Sequence, residues 1–184
     1  MRIVGGENRG LQLAALGDAP GLRPTADRTR EALFNLLAHG RHGDVVRGAR
    51  VLDLFAGTGA LALEALSRGA AAALLVDDGR ASARLIRDNI TRAGRAPQAR
   101  HLPLDATRLP PATDPPATLA FLDPPYGRSL GDAALRAALA GGWLAPGATV
   151  AWEEAQPMMP PPGTSLLDRR RYGAAHVTVL QVEG

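Results

Sequence analysis

Residues 121–126 read Phe121-Leu122-Asp123-Pro124-Pro125-Tyr126 and close an apolar run that begins at Ala117. The run, 117–122 with one threonine inside it, predicts a buried strand. A carboxylate then stands at the C-terminal end of that strand, and the two prolines after it fix φ and remove two backbone donors. We interpret this stretch as a rigid ledge that presents an acceptor side chain, bare carbonyl groups and one aromatic face to a planar ligand.

Strand and helix patterns alternate on both sides of this ledge. The predicted strands lie at 50–55, 72–77, 99–104, 117–122 and 148–153, and the predicted helices at 60–68, 81–93 and 130–140. A tail that alternates around Gly173, at 164–172 and 175–182, predicts an antiparallel hairpin. The sequence therefore predicts the α/β class, with a Rossmann-like, doubly wound, mostly parallel seven-stranded sheet and a small N-terminal extension.

The N-terminal extension combines a weakly alternating segment, a loop and a helix. Residues 1–14 predict a small strand or hairpin with an exposed basic turn, and residues 15–24 predict a loop. Thr25 suits the N-cap of the following helix, whose apolar face is formed by Leu33, Phe34, Leu36 and Leu37. The opposite face carries a polar stripe at helical spacing, made of Arg28, Glu31 and Asn35.

Composition predicts a single globular domain. The chain has 184 residues, 46% of them hydrophobic, and we divide it into an N-terminal arm with its helix (1–45) and a core unit (46–184). The absence of cysteine excludes disulfides and thiolate metal sites, and the histidines lack ligand spacing. No apolar run reaches the roughly 18 residues that span a bilayer, so we expect a cytoplasmic protein without a metal or a membrane partner.

The positive charge is carried by arginine alone. All 21 basic residues are arginines, so a pI of about 10.4 at a net charge of only +3 reflects how late arginine titrates. A GC-rich genome accounts for most of this usage. The first thirty residues are nevertheless enriched in arginine over acids, and such a basic arm suits an acidic polymer as partner. The arginines of the arm are Arg2, Arg9, Arg23, Arg28 and Arg30.

Glycines and acids at the ends of the predicted strands suit a nucleotide cofactor. The turn Asp53-Leu54-Phe55-Ala56-Gly57-Thr58-Gly59 joins a strand to a helix N-terminus, where glycine lets the backbone approach a ligand. Asp77 follows about 20 residues later, where a carboxylate can accept both ribose hydroxyls, and Asp78 competes for that role. Asp105, just past the third strand, can receive an adenine amine or simply form a turn.

A second Asp-Pro-Pro tripeptide, at 114–116, provides an internal comparison. It has neither the preceding strand nor the following aromatic residue, so we predict a loop there. The tripeptide at 123–125 instead lies at the C-terminal end of the fourth predicted strand, beside the glycine turn that follows the first predicted strand. Because ligands of open α/β sheets bind at that switch point, the pattern predicts a cofactor and a planar substrate side by side.

With these motifs in place, the chain resembles the class I S-adenosylmethionine-dependent methyltransferases. More narrowly it resembles the RsmD family, bacterial enzymes that methylate the N2 amine of a guanine in 16S ribosomal RNA. The resemblance runs through Gly6-x-x-Arg9-Gly10, the helix opening Arg23-Pro24-Thr25-x-Asp27-Arg28-x-Arg30-Glu31-Ala32-Leu33-Phe34-Asn35, the glycine turn and the ledge. The helix opening discriminates the family, because the other motifs recur in many methyltransferases.

The resemblance implies a role for each motif. A bound S-adenosylmethionine would be held by Asp53, Phe55, Ala56, Gly57, Gly59, Asp77, Asp78, Asp105 and Ala106. The target guanine would lie against the catalytic residues Asp123, Pro124, Pro125 and Tyr126. A monomer would bind 16S RNA or an assembling small ribosomal subunit through Arg9, Arg23, Thr25, Arg28, Arg30 and Asn35. The chain departs from the family at Leu11-Gln12, where a basic residue is usual, and at Asp77-Asp78-Gly79, where an acid-x-Asp pattern is usual.

The residues alone leave other functions open. The ledge suits any exocyclic amine, including adenine N6 in DNA or RNA and an amide of a protein, although 1–45 is too short for a separate target-recognition domain. A nicotinamide-dependent oxidoreductase would use the glycine turn but would leave the ledge unexplained. A non-catalytic RNA-binding relative that has lost cofactor affinity is a further alternative. The intact Asp53, Gly57, Gly59 and Asp123 argue against it.

Overall fold

The computed structural model describes residues 1–14, 27–125 and 130–184 of the chain. Helices and strands are numbered separately in chain order. The helices are α1 Asp27–His39, α2 Ala60–Ser67, α3 Arg80–Arg92 and α4 Leu130–Ala140. The strands are β1 Arg50–Leu54, β2 Ala72–Val76, β3 Ala99–Leu102, β4 Ala117–Leu122, β5 Leu144–Glu154, β6 Thr164–Tyr172 and β7 Ala175–Val182.

These strands form one sheet in the order β3-β2-β1-β4-β5-β7-β6. Strands β1 to β5 pair in parallel, whereas β7 pairs antiparallel with both β5 and β6. The predicted α/β class, the mostly parallel seven-stranded sheet and the C-terminal antiparallel hairpin are therefore confirmed. The strand order reverses between β1 and β4, so the C-terminal ends of these two strands lie at a topological switch point.

Helices cover both faces of the sheet, which explains why its central strands are apolar on both sides. Buried residues of α1, α2 and α3 pack with Val51 and Phe121 on one face. Helix α4 packs with Leu52 and Leu122 on the other face. Because side chains alternate along a strand, Asp53 faces the layer of α1, α2 and α3.

Helix α1 runs antiparallel to β4 and β5. The ring of Phe34 lies against that of Phe121 near the end of β4, with centroids 5.5 Å apart. One turn later in the helix, Leu37 lines a small cavity together with Thr149 of β5. Thr149 precedes Ala151, the residue of β5 that pairs with Phe121. The later turn of α1 therefore lies beside an earlier part of the strands, so the helix and the strands run in opposite directions. The N-terminus of α1 therefore points toward the C-terminal ends of the strands.

Strand β5 begins earlier than predicted, at Leu144 rather than at residue 148. Leu144 pairs with Ala117 at the start of β4, and the register then shifts around Gly147, which adopts φ 77°. Pro146 and Gly147 lie in this added segment, and both residue types normally interrupt a strand. The structure accommodates both residues at an irregularity of the ladder, so the strand continues across them.

The N-terminal extension has the predicted hairpin in outline, with an antiparallel bridge between Arg2 and Gln12. The predicted N-cap of α1, Thr25, lies outside the described residues. Within the described ranges, no helix combines the length and the apolar character that crossing a membrane requires.

Candidate active site

The C-terminal ends of β1 and β4 meet at one edge of the sheet, which we call the carboxyl edge. Leu54, the last residue of β1, pairs with Leu122, the last residue of β4. The amide of Asp123 then donates to the carbonyl of Leu54 at 3.5 Å. The glycine turn that follows β1 and the ledge that follows β4 therefore lie side by side.

An unusual backbone shapes the turn between β1 and α2. Phe55 adopts φ 64°, a left-handed conformation that costs a residue other than glycine roughly 1–2 kcal/mol. Gly59 adopts φ 78°, and a Cβ atom there would lie 2.7 Å from Leu75 Cδ2. Both the positive φ and the close approach to Leu75 therefore favour glycine at position 59. The strain at Phe55 is of the kind that concentrates at ligand sites, where the surrounding fold maintains it.

Asp53 provides a buried acceptor beside the turn. The residue is 1% exposed, and its Oδ2 accepts the amide of Ala62 in α2 at 3.1 Å. Within the described residues, Oδ1 is buried without a hydrogen-bond partner. Burial raises the pKa of Asp53 to about 7. The hydrogen bond from the Ala62 amide lowers this pKa, and the nearby charge of Asp77 raises it further. A ligand that brings a cationic N–H donor would satisfy Oδ1 and restore the charge of the carboxylate.

Asp77 ties the end of β2 to the glycine turn. Its Oδ2 accepts the amide of Gly57 at 2.8 Å, and its Oδ1 accepts the amide of Gly79 at 2.9 Å. Each carboxylate oxygen has a second lone pair, so Asp77 can hold the turn and still accept hydroxyl groups. The competing residue, Asp78, is exposed. Assignment of the ribose to one of these two acids stays a prediction.

Asp105 begins a short 3₁₀ turn, Ala106–Arg108, after β3. Its Oδ1 accepts the amide of Thr107 at 2.9 Å and the hydroxyl of Thr107 at 2.7 Å, and these bonds lower the pKa of Asp105. The turn-forming role that the sequence allows is therefore present. Asp105 is exposed whereas Ala106 is buried, and the adenine contact of both residues stays a prediction.

The ledge itself is partly buried. Asp123 is half-buried, Pro124 is buried and Pro125 is exposed. Tyr126, the fourth predicted catalytic residue, lies outside the described residues. Among residues 1–14, 27–125 and 130–184, no group of three or more acids or histidines has the arrangement that a metal ion needs.

Two further acids, Glu153 and Glu154, lie at the carboxyl edge, and neither was among the site residues predicted from the sequence. Leu122 pairs with Trp152 of β5, so the next residues, Asp123 and Glu153, are neighbours on the same face of the sheet. Glu153 is 9% exposed and Glu154 6%, and burial raises the pKa of Glu154. Two acids that end an apolar strand at the ligand edge of a sheet are the signal that would have identified them.

Comparison with known proteins identifies the family. The family described as conserved hypothetical protein 95 has a sequence model that matches residues 1–181. Ribosomal RNA small subunit methyltransferase D of Escherichia coli K12 is 42% identical over 145 residues, which cover 79% of this chain and 70% of that protein. The chain belongs to this family, the RsmD methyltransferases.

Solved structures agree with membership of the RsmD family. The putative methyltransferase yhhF from Escherichia coli has a TM-score of 0.82 at 36% identity, covering 100% of this chain and 98% of that one. An RNA methyltransferase from Salinibacter ruber, solved with S-adenosyl-L-homocysteine, has a TM-score of 0.66 at 19% identity, covering 88% of this chain and 94% of that one. The second likeness supports the fold alone. The enzyme class is thus methyltransferase, which sets aside the nicotinamide-dependent oxidoreductase.

One prediction for the RsmD-like helix opening is wrong, because Arg30 is not available to RNA. Arg30 is 0% exposed, and its guanidinium lies 2.8 Å from Asp27 and 3.6 Å from the fully buried Glu64 of α2. It also donates to the carbonyl of Arg2. Arg30 therefore joins the N-terminal segment and α1 to α2. Its position three residues before Leu33 places it on the apolar face, and this spacing was the signal for burial.

The other residues predicted to contact RNA differ in their exposure and in their distance from the carboxyl edge. Arg28 and Asn35 are exposed on α1, whose N-terminus points toward the carboxyl edge. Arg23 and Thr25 lie outside the described residues. Arg9 is exposed as well, but its surroundings place it elsewhere on the molecule.

Arg9 lies toward the edge of the sheet opposite the ledge. The amide of Glu7 donates to the carbonyl of Ser67 at 2.8 Å, at the end of α2. The Nδ2 of Asn8 donates to the carbonyl of Ala93 at 3.2 Å, just past the end of α3. Both helices begin at the carboxyl edge and run away from it, and α2 alone spans about 12 Å. An RNA contact of Arg9 stays a prediction, and it requires RNA that reaches this far side.

Proposed function

We propose that this RsmD-family protein transfers a methyl group from S-adenosylmethionine to the N2 amine of a guanine in the RNA of the small ribosomal subunit. The observation that carries the proposal is the position of Asp123, which follows β4 directly beside the end of β1 and its strained glycine turn. A methyl donor and an amine bound at two adjacent strand ends would lie within reach of each other. The name of the Escherichia coli relative supports the RNA class.

The residues of the glycine turn fit S-adenosylmethionine. The buried Oδ1 of Asp53 suits the cationic amine of the methionine part, and the backbone of Phe55, Ala56, Gly57 and Gly59 would approach that part of the ligand. Asp77 or Asp78 would accept the ribose hydroxyls, and Asp105 with Ala106 would contact the adenine. When bound, the cofactor supplies an electrophilic methyl group on a sulfonium.

Asp123 acts on the substrate amine. The lone pair of guanine N2 is delocalised into the ring, and its two protons lie in the ring plane. The Asp123 carboxylate and the Pro124 carbonyl would accept those protons, which favours a pyramidal nitrogen with its lone pair directed out of the plane. Pro124 and Pro125 lack an N–H, so this part of the ledge offers acceptors and no competing backbone donors. The methylated nitrogen would carry an excess proton, and Asp123 would accept it.

RNA recognition follows from the same geometry. Tyr126 would stack on the target base, a contact worth about 1–3 kcal/mol. A base inside a duplex cannot reach the ledge, so the target would be a loop or flipped nucleotide. Arg28 and Asn35 on α1, with Arg23 and Thr25, would bind the flanking RNA. The protein would act as one methyltransferase domain, with 1–45 as RNA-binding arm and 46–184 as catalytic core, in monomeric form in the cytoplasm.

Methyl transfer from tritium-labelled S-adenosylmethionine to separate acceptors tests the proposal. The acceptors are 16S RNA transcribed in vitro, small ribosomal subunits that lack the modification, and DNA. We expect label in RNA only, recovered after digestion as N2-methylguanosine. Label in N6-methyladenine or in DNA would support the adenine alternative instead. RNA binding without cofactor binding by calorimetry, and without transfer to any acceptor, would favour the non-catalytic alternative.

A further inference from the structure

Three consecutive exposed arginines, Arg169, Arg170 and Arg171, lie near the end of β6 and form what we call the arginine tip. Strand β6 is the outermost strand of the sheet on the side of β5 and β7. The chain turns at Gly173 immediately beyond it and returns as β7. The mechanism proposed above uses none of the three arginines.

Strand register places the arginine tip at the carboxyl edge. Glu153 at the end of β5 pairs with Val177 of β7, and Val177 pairs with Arg170 of β6. On the β4 side of β5, Asp123 lies beside Glu153, because the residues that precede them, Leu122 and Trp152, are paired. Arg170 and Asp123 therefore occupy one row across four strands. Three strand spacings of about 4.8 Å separate their backbones by about 14 Å.

Local contacts orient the guanidinium groups of the tip. Arg170 pairs with Asp168 at 2.9 Å, and its side chain is nevertheless 54% exposed. Arg169 and Arg171 each donate to a backbone carbonyl, at 2.8 Å and 3.0 Å respectively. A guanidinium has five N–H donors in a planar fork, so a side chain anchored through one nitrogen can bind a phosphate bidentately through the others.

We propose that the arginine tip binds the phosphate backbone of the RNA beside the target nucleotide. The identity of the polymer as RNA rests on the proposed function. A stacked strand with a rise of roughly 3.4 Å per nucleotide covers the distance from Asp123 to the tip in about four nucleotides. Phosphate contacts set position and affinity but carry no sequence information, so the tip positions the strand while the ledge selects the base.

A triple variant, Arg169→Ala with Arg170→Ala and Arg171→Ala, tests the tip in the full-length protein. The probe is fluorescent 16S RNA transcribed in vitro, titrated at several salt concentrations. Loss of three phosphate contacts, each worth about 0.7 in the salt slope of a single strand, should make the slope shallower by about 2. Affinity should fall about tenfold or more near 0.1 M salt. Cofactor affinity and the rate at saturating RNA should stay at wild-type values.

Two matched variants separate local binding from overall charge and from unfolding. The triple substitution of Arg47, Arg87 and Arg92 by alanine removes the same charge from exposed positions away from the carboxyl edge. It should change the slope by less than one. Lysine at all three tip positions keeps the charge and should retain the wild-type slope. Equal losses in the two alanine triples would mean that overall charge sets affinity, which overturns the assignment.

Two further outcomes distinguish failure of the tip from failure of the proposed function. If the wild-type protein methylates small-subunit RNA while the tip variant keeps its RNA affinity and slope, the tip assignment falls and the proposed function stands. If the wild-type protein binds RNA with a tip-dependent slope but transfers no methyl group, the proposed function falls instead. Weaker binding to subunits with unchanged binding to naked RNA would indicate a ribosomal protein as partner and would also overturn the tip assignment.

Discussion

The chain contains Asp-Pro-Pro twice, once at each end of the same strand. Asp114 stands shortly before β4 and Asp123 directly after it, so the six residues of β4 separate the two tripeptides by roughly 20 Å. The edge of the sheet where β4 begins is the amino edge. There Asp114 pairs with Arg100 of β3, and the carbonyl of Pro116 accepts a hydrogen bond from Arg50 Nε at 2.8 Å. The first copy is thus part of a solvent-facing ion pair.

The second copy lies among the groups that a reaction needs. Asp123 neighbours the end of β1, where Phe55 is strained and Asp53 has a buried oxygen without a partner in the described structure. Glu153 and Glu154 end the next strand at the same edge. Two prolines make either tripeptide rigid, but only position in the sheet gives the aspartate a ligand crevice. The tripeptide therefore makes the backbone rigid, and its position at the carboxyl edge brings its aspartate close to the other groups of the candidate site.

Asp123→Asn and Asp114→Asn make the same chemical change at the two ends of β4. We expect the first variant to lower the rate at saturating RNA and cofactor about 10²–10⁴-fold, because an amide accepts no proton and presents a donor to the amine. The second variant should stay within about twofold of wild type, because its position lies roughly 20 Å from the carboxyl edge. Single-turnover methyl transfer measures both rates.

Cofactor affinity by calorimetry is the control for this pair. Both variants should bind S-adenosylmethionine with wild-type affinity, since neither aspartate belongs to the glycine turn. Equal losses of rate in the two variants would show that the tripeptides act through general stability and not through their position. A near-normal rate in Asp123→Asn would remove Asp123 from the mechanism.

The buried acid of the carboxyl edge should also make stability depend on pH. Burial raises the pKa of Asp53 from 3.8 to about 7. Between these values the folded protein holds a proton that the unfolded chain has lost, so the Asp53 contribution to stability declines from about pH 4 to about pH 7 and is constant above. At about 1.4 kcal/mol per pKa unit, the decline amounts to a few kcal/mol.

Urea unfolding of wild type and Asp53→Asn from pH 4 to 8 measures this decline. Asparagine has no proton to lose, so the free energy of unfolding of the variant should rise relative to that of wild type up to about pH 7. A saturating cationic ligand that pairs with the carboxylate should flatten the wild-type curve. Parallel curves without ligand would mean that Asp53 is already ionised in the folded protein.

The strands whose boundaries the sequence predicted to the residue are those flanked by proline or glycine. Strand β4 is an apolar run between proline pairs, and the strands β6 and β7 flank Gly173, so composition alone determines where each ends. Asp53, the glycine turn and Asp123 were predicted to lie at one edge because strands and helices alternate along the chain. This alternation indicates parallel strands, and parallel strands align their C-terminal ends. Local pattern and topology agree in these regions.

Features that depend on tertiary docking could not be predicted in the same way. Arg30 looked like a member of a basic arm, but its burial depends on Glu64, which lies more than thirty residues away in α2. Arg9 belongs to the same basic segment by composition, yet its loop docks at the far ends of α2 and α3. The left-handed backbone of Phe55 has no sequence signal, because its neighbours maintain it against the preference of the residue.

The weakest effect expected from the pair of tripeptides is the contribution of Asp114 to stability. The side chains of Arg100 and Asp114 are 55% and 29% exposed, and ion pairs in such positions contribute about 0–1 kcal/mol. A double-mutant cycle with Asp114→Asn and Arg100→Gln, followed by urea unfolding, should give a coupling energy in that range at low salt. The coupling should vanish near 1 M salt, where the Debye length falls to about 3 Å.

A larger, salt-resistant coupling would change the comparison between the two edges. It would mean that Asp114 anchors the amino edge through β3, so that the tripeptide before β4 has a structural role as definite as the catalytic role proposed after it. A small coupling leaves Asp114 as a surface residue whose likeness to Asp123 is confined to sequence. In that case the same three residues have no shared function, and each copy takes its properties from the end of the strand on which it stands.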